Sequence, residues 1–206
     1  MLAFSEYTQF FIAMLAIVDP VTILPIYLQL VRKFDAVQQR RLANHAALAT
    51  TIALIITVFV GQKVLTFFGI SIGSFQIAGG LLLLLVALQL LNQPEAVTTN
   101  DEPQPMVSAS QVVVPLAIPL LAGPGAFSTV IVYTFRSEST MHLMALSVCI
   151  LLLGIIVWLS LRGATQLMRF LSVTTIAVIN KIMGLIMAAI AIEFIAAGVK
   201  ALFQMN

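Results

Sequence analysis

Charge is the scarcest ingredient of this chain. Only 9% of its 206 residues are Asp, Glu, Lys or Arg, while 61% are hydrophobic; a soluble domain carries about 25% charged residues. A chain of this size cannot hide that much apolar surface from water in one core, so it reads as an integral membrane protein. The net charge of +2 excludes nucleic acid as a partner. Cysteine is nearly missing as well. The single Cys149 excludes an internal disulfide and a cysteine-based metal cluster, and reads as an unreactive helix residue. There are two histidines and no HExxH, GxSxG, phosphate-binding loop or His/Cys cluster, so no enzyme, metal or cofactor is expected. The beginning of the chain lacks basic residues. "MLAFSE" carries Glu6 and no Lys or Arg, and no small-residue cleavage site follows, so the first apolar run reads as a retained helix and not a cleavable signal.

What is present is long apolar runs. A helix needs about 20 such residues to cross a ~30 Å hydrocarbon core, and six segments qualify: roughly 5–29, 43–67, 70–92, 109–135, 141–161 and 176–203. The expected fold is therefore all-α and polytopic. Between the runs lie a basic loop (31–41), an acidic proline-containing loop (93–108), "FRSEST" (135–140), and an amphipathic stretch (160–175) suited to the membrane interface. Six crossings put both termini on one side, with Lys63, Arg136 and Lys200. The other side collects Arg32, Lys33, Arg40, Arg41, Arg162 and Arg169, with Lys181 nearby. The positive-inside rule makes that side cytoplasmic and places both termini outside a bacterial inner (plasma) membrane. Tyr7, Tyr27, Tyr133 and Trp158 near helix ends fit an aromatic belt.

The chain also repeats itself. Pro20 and Pro124 stand 104 positions apart, and the same shift lays 71–89 on 175–193 without a gap. Gly80 then meets Gly184 and Ala87 meets Ala191. Ser71 meets Thr175, Gln76 meets Asn180, and Gln89 meets Glu193. Three helices per half is an odd number, so the second half enters the membrane from the opposite side. The halves are 1–92 and 109–206, with 93–108 connecting them. Inverted repeats of this kind occur in secondary transporters, whose site lies near the midplane where paired helices are interrupted.

Both interruptions are legible. In "AIVDPVTILPIYL" (16–28), Asp19-Pro20 breaks the first run: proline removes a backbone donor and pushes its predecessor out of the helical region. Asp19 is expected to cap a half-helix beginning at Pro20, ~15 Å from the cytoplasmic end of its span. An ionisable group there faces protein or water, and suits an ammonium, a cation or a proton. In "LLAGPGAFSTVIV" (120–132), Gly123-Pro124-Gly125 begins a second half-helix whose free N–H groups suit a carboxylate. Ser128 and Thr129 lie one turn in. Substrate contacts are thus expected from Asp19, Pro20, Gly123, Pro124, Gly125 and Ser128, and a proton or hydrogen-bonding role from Asp19 and Glu193. Structural roles are open for several of these: Asp19 as a cap alone, Ser128 and Thr129 bonded to their own backbone, Glu193 bonded inside the bundle. Pro25 reads as a kink, Pro115 and Pro119 as shaping the chain ahead of the second break, and Gly79, Gly80 and Gly184 as close-packing positions. Asn44 and His45 are expected to open the second helix, and Asn180 and Lys181 the sixth.

"VDPVTILPIYL", "VPLAIPLLAGPGAFSTVIV" and "NKIMGLIMAAIAIEFIAAGVK" together resemble the MarC (UPF0056) family, over essentially the whole chain. That family is similar to LysE-type exporters and includes a proton-linked transporter of small neutral amino acids. The resemblance implies motif positions at Asp19, Pro20 and Pro25, at Pro119, Gly123, Pro124 and Gly125, and at Gly184 and Gly198. Thr22-Ile23 stands where the family commonly has Gly-Asn or Gly-Ile, and Lys181 where it commonly has Arg. Some relatives carry Asn in place of the first motif's acid. The reading is a secondary transporter, in either direction, of a small molecule such as an amino acid, with a coupling proton and the lipid bilayer as its surroundings. A homo-oligomer is compatible with it. The alternatives are a passive channel and a structural or regulatory membrane protein without transport.

Overall fold

The computed structural model describes residues 4–31, 34–92, 122–137, 139–170 and 173–204. Among these residues all regular structure is helical: α1 (Phe4–Val18), α2 (Ile23–Val31), α3 (Ala36–Phe67), α4 (Ile72–Asn92), α5 (Pro124–Thr134), α6 (Thr140–Arg162), α7 (Ala164–Phe170) and α8 (Val173–Gln204). Four described helices, α3, α4, α6 and α8, are long and apolar enough to cross a membrane; α1 is a shorter apolar helix. The protein is a polytopic, all-helical membrane protein.

Two boundaries differ from expectation, for local reasons. The basic loop does not run to residue 41, because Asp35 caps α3 six residues earlier. Its carboxylate accepts the Gln38 N–H at 2.6 Å, and the Gln38 side chain returns to the Asp35 N–H, forming a capping box. Asn44 and His45 therefore lie inside α3, exposed. Likewise α8 starts at Val173, so Asn180 and Lys181 sit two turns inside it and do not open it. At the other end of α3, Gly69 takes φ +67 and the Ile70 N–H bonds the Leu65 carbonyl at 2.9 Å, the glycine stop of a Schellman turn.

Helix α4 packs along α8, and α3 along α6. Helix α5 fits against α3 and α4, α1 against α5, α6 and α8, and α7 against α2 and α6. The α4–α8 seam is made by small residues seven apart on each helix. Gly73 meets Gly198, Gly80 meets Ala191, and Ala87 meets Gly184, so the helices run antiparallel with their backbones nearly touching. Lipid supplies no hydrophobic drive between helices, and close backbone approach is what holds such a seam. At the α3–α6 seam Gly154 accommodates the Thr51 side chain, and the Trp158 indole N–H donates to Asn44 Oδ1 at 2.7 Å.

One apolar cluster, with Phe10, Met14, Leu24, Leu54, Leu146 and Leu153, joins α1, α2, α3 and α6. A smaller one, with Leu83, Val132, Met187 and Phe194, joins α4, α5 and α8. Tyr27 and Tyr133 are buried, which corrects their assignment to a lipid-facing belt. Their rings face protein partners: the Tyr27 hydroxyl donates to the Gln39 carbonyl at 2.9 Å, and the Tyr133 ring packs on Phe10, with the Arg136 guanidinium 4.0 Å from its centroid.

Candidate functional site

Helix α1 ends at Val18 because Asp19 turns left-handed. Its φ of +37 is the one positive value among described non-glycine residues. Pro20 disfavours a right-handed helical Asp19, and Asp is among the few residues that tolerate the left-handed region. The Asp19 N–H still closes α1 on the Leu15 carbonyl at 3.0 Å. Residues 20–22 then form a turn, and α2 begins at Ile23. The expected half-helix at Pro20 is thereby corrected. An N-cap is extended, whereas Asp19 is left-handed and the helix starts a turn later. Its carboxylate organises that turn instead. Oδ1 accepts the Thr22 N–H at 3.3 Å, and Oδ2 lies 2.5 Å from the Thr22 hydroxyl. The same hydroxyl lies 2.5 Å from Asn180 Oδ1 on α8. Asp19 is only 8% exposed.

The second break follows expectation more closely. Gly123 is an extended N-cap with φ −64 and ψ 171 and no side-chain capping bond, and Pro124 is the first helical residue. The N–H groups of Ala126 and Phe127 donate to the Gly123 carbonyl at 2.9 and 3.2 Å. Proline has no N–H, so Gly125 carries the first-turn N–H that is not committed to that carbonyl. Gly125 is also the closest-packed point of the turn. A Cβ there would run into the Leu83 side chain of α4 and touch Ile17 of α1 at 3.6 Å.

The first turn of α5 and the end of α1 therefore lie side by side. Ile17 stands two residues before Asp19, and Gly125 two residues after Gly123. Gly125 meets Leu83 of α4 and Ile17 of α1, and the α1–α2 turn reaches α8 at Asn180. Ser128 is buried against Gly79. The Thr129 hydroxyl is bonded at 2.8 Å to the Gly125 carbonyl, one turn back on its own helix. Glu193 is on the exposed face of α8, thirteen residues or about 20 Å along the helix from Asn180. Among the described residues it has no hydrogen-bond partner. Pro115 and Pro119 lie outside the described residues.

Three polar residues have contacts that the sequence reading did not give them. Thr22 and Asn180 reach Asp19 only because the turn and α8 converge. The third is His142 on α6, fully buried. Its Nε2 lies 2.8 Å from the Tyr133 carbonyl, which can only accept, so Nε2 carries the proton. In the neutral ring Nδ1 accepts from the Tyr7 hydroxyl at 3.0 Å. His142 thus ties α1 to the end of α5 and the start of α6. Nearby, Glu6 Oε2 is buried without a partner among the described residues. His142 could have been suspected as a lone imidazole in an apolar run; Thr22 and Asn180 carried no such signal.

The family model described as "MarC family integral membrane protein" matches residues 4–203. The chain is 38% identical to the UPF0056 membrane protein YhcE of Escherichia coli K12, covering 97% of this chain and 94% of that one. A UPF0056 membrane protein of Pyrococcus abyssi is 31% identical, covering 97% and 96%. The UPF0056 inner membrane protein MarC of Escherichia coli O157:H7 is 28% identical, covering 95% and 94%. No solved structure matches. On the family match across nearly its whole length, the chain belongs to the MarC family of integral membrane proteins.

Proposed function

We propose that this protein is a secondary transporter of small neutral amino acids, working by alternating access around a midplane site between its first and fourth crossings. In this reading the first apolar run, 5–29, is one interrupted crossing and the fourth, 109–135, is its counterpart. With α3, α4, α6 and α8 this gives six crossings in two inverted halves, 1–92 and 109–206, in a bacterial inner membrane with both termini outside. The N-terminal end of α5 receives the substrate carboxylate through Gly123, Pro124 and Gly125, with Ser128 behind them. Asp19 and the carbonyls around Pro20 receive the ammonium.

The observation that supports the reading is the approach of the two interrupted helices: Gly125, in the first turn of α5, lies against Leu83 and against Ile17, two residues before the left-handed Asp19. The repeat has support of its own. A shift of 104 residues turns the Gly80–Ala191 contact into the Gly184–Ala87 contact, and both exist. The same exchange relates α1 on α6 to α5 on α3, and α1 on α8 to α5 on α4; all four packings are present. The substrate class rests on the family resemblance, and the transport class on this geometry.

The test is uptake and efflux of labelled alanine by purified protein in proteoliposomes, with and without a pH gradient. Saturable flux with counterflow exchange is expected. Gly125→Leu drives a side chain into Leu83 and abolishes flux while membrane insertion persists. Flux without saturation or counterflow would mean a channel. No flux of any small amino acid in either direction would sink the substrate assignment.

A further inference from the structure

With its carbonyl oxygen turned to Thr22, Asn180 leaves the Asp19–Thr22–Asn180 line one proton short. Thr22 Oγ1 stands 2.5 Å from Asp19 Oδ2 on one side and 2.5 Å from Asn180 Oδ1 on the other. Each of those oxygen pairs is as short as a charge-assisted O–H···O bond. A hydroxyl has one proton and cannot donate in both directions. Two arrangements satisfy the line. In the first, Asp19 is a carboxylic acid: its O–H donates to Thr22, and the Thr22 O–H donates to the Asn180 carbonyl oxygen. In the second, Asp19 has released its proton to water and is a carboxylate. The Thr22 O–H then turns to Asp19, and Asn180 must present its amide N–H to Thr22 or withdraw.

We infer that Asp19, Thr22 and Asn180 form a proton-binding site that couples the protonation of Asp19 to helix α8, with Thr22 as the link. Gaining or losing one proton at Asp19 reverses the direction of both hydrogen bonds. Because Asn180 stands on α8 and Asp19 at the end of α1, the reversal acts across the contact between those two helices. Thr22 is a positioning residue in this scheme. It touches no substrate and passes the state of Asp19 across the helix boundary.

On the described elements packed against α1, the charged or titratable groups are Tyr133 on α5, His142, Cys149 and Arg162 on α6, and Lys181, Glu193 and Lys200 on α8. Of these, Lys181 alone is adjacent in sequence to a member of the line, and it is exposed. The inference rests on the proposed transport reading for its consequence, although the proton line can be tested without any substrate.

The experiment is infrared difference spectroscopy of the whole protein in lipid bilayers during a pH titration. Wild type should show a carboxylic-acid band that is absent in Asp19→Asn. It should titrate in step with a change in the side-chain amide band of Asn180, identified by its loss in Asn180→Leu. In Thr22→Val the Asp19 band should still titrate while the Asn180 change disappears, and Thr22→Ser should restore it. An Asp19 band that titrates without any Asn180 response in wild type would overturn the inference. So would an Asn180 response that survives in Thr22→Val, or the absence of a titrating Asp19 band. Alanine flux in the same proteoliposomes separates this outcome from failure of the transport reading. If transport holds, Thr22→Val should lower gradient-driven accumulation at least tenfold, and Thr22→Ser should recover it. Intact accumulation in Thr22→Val would overturn the coupling while leaving transport standing.

Discussion

Adding one methyl group at Gly80 should pry α4 from α8. A Cβ at that position would stand 2.8 Å from the backbone carbonyl of Ala191 and 2.7 Å from Ile195 Cγ1, where ordinary contact begins at 3.4 Å. The isoleucine can rotate, but the carbonyl belongs to a helix and cannot yield alone. The seam must therefore open by about 0.6 Å at its middle. A gap of roughly 0.5–1 Å forfeits a quarter to a half of each dispersion contact it affects. Overpacking of this kind costs about 1–3 kcal/mol, and in lipid no hydrophobic gain offsets it. Gly80→Ala should accordingly lose about 1–3 kcal/mol. Gly198→Ala should lose at least as much, since its Cβ would stand 2.6 Å from the Gly73 carbonyl. Gly184→Ala should lose less, since its nearest neighbours are at 3.1 and 3.2 Å. Ala78→Leu, on the exposed face of α4, is the control and should change stability little. The assay is equilibrium unfolding in mixed micelles followed by circular dichroism. A Gly80→Ala protein as stable as wild type, or one more stable than Gly184→Ala, would refute the packing assigned to this seam.

Two further substitutions separate backbone demands from side-chain chemistry. Asp19→Ala should lose about 1–3 kcal/mol in the same unfolding assay, because alanine resists the left-handed region and provides no acceptor for Thr22. Asp19→Asn should stay close to wild type, and equal losses for the two would argue against the left-handed turn. His142→Ala should lose about 1–3 kcal/mol, because it takes the partner from the half-buried Tyr7 hydroxyl and removes a donor from the buried Tyr133 carbonyl. Protease access at the 135–140 loop should rise with it, and a variant with unchanged stability and cleavage would show that the imidazole does not fasten that loop.

Much of the architecture was legible because a membrane chain writes its helices in composition. The apolar runs located α4 and α6 to within two residues at each end, and Gly123-Pro124 marked the start of α5. The misplaced boundaries came from polar helix that no hydrophobic count detects: six residues before 42 that Asp35 and Gln38 hold in place, and the first turn of α8. The site was legible where it depended on backbone and illegible where it depended on neighbours. Asp19-Pro20 and Gly123-Pro124-Gly125 announce breaks because proline and glycine constrain their own dihedrals. Nothing in the chain order says that Thr22 touches Asn180, since they are 158 residues apart and meet only through the α1–α8 packing. Glu193 illustrates the reverse error. Its conspicuous charge suggested a place inside the bundle, but its register on α8 turns it outward.

The left-handed turn at Asp19 also constrains how this position can change by mutation. Aspartate codons are one base away from those of asparagine and glycine, the two residues that accept such a backbone most readily. A single nucleotide change can therefore remove the carboxylate from position 19 while leaving the bend of the chain intact. Under the proposed transport reading, a proton-driven carrier and a passive exchanger of the same shape then lie one mutation apart, and a lineage can cross between them without passing through a misfolded protein.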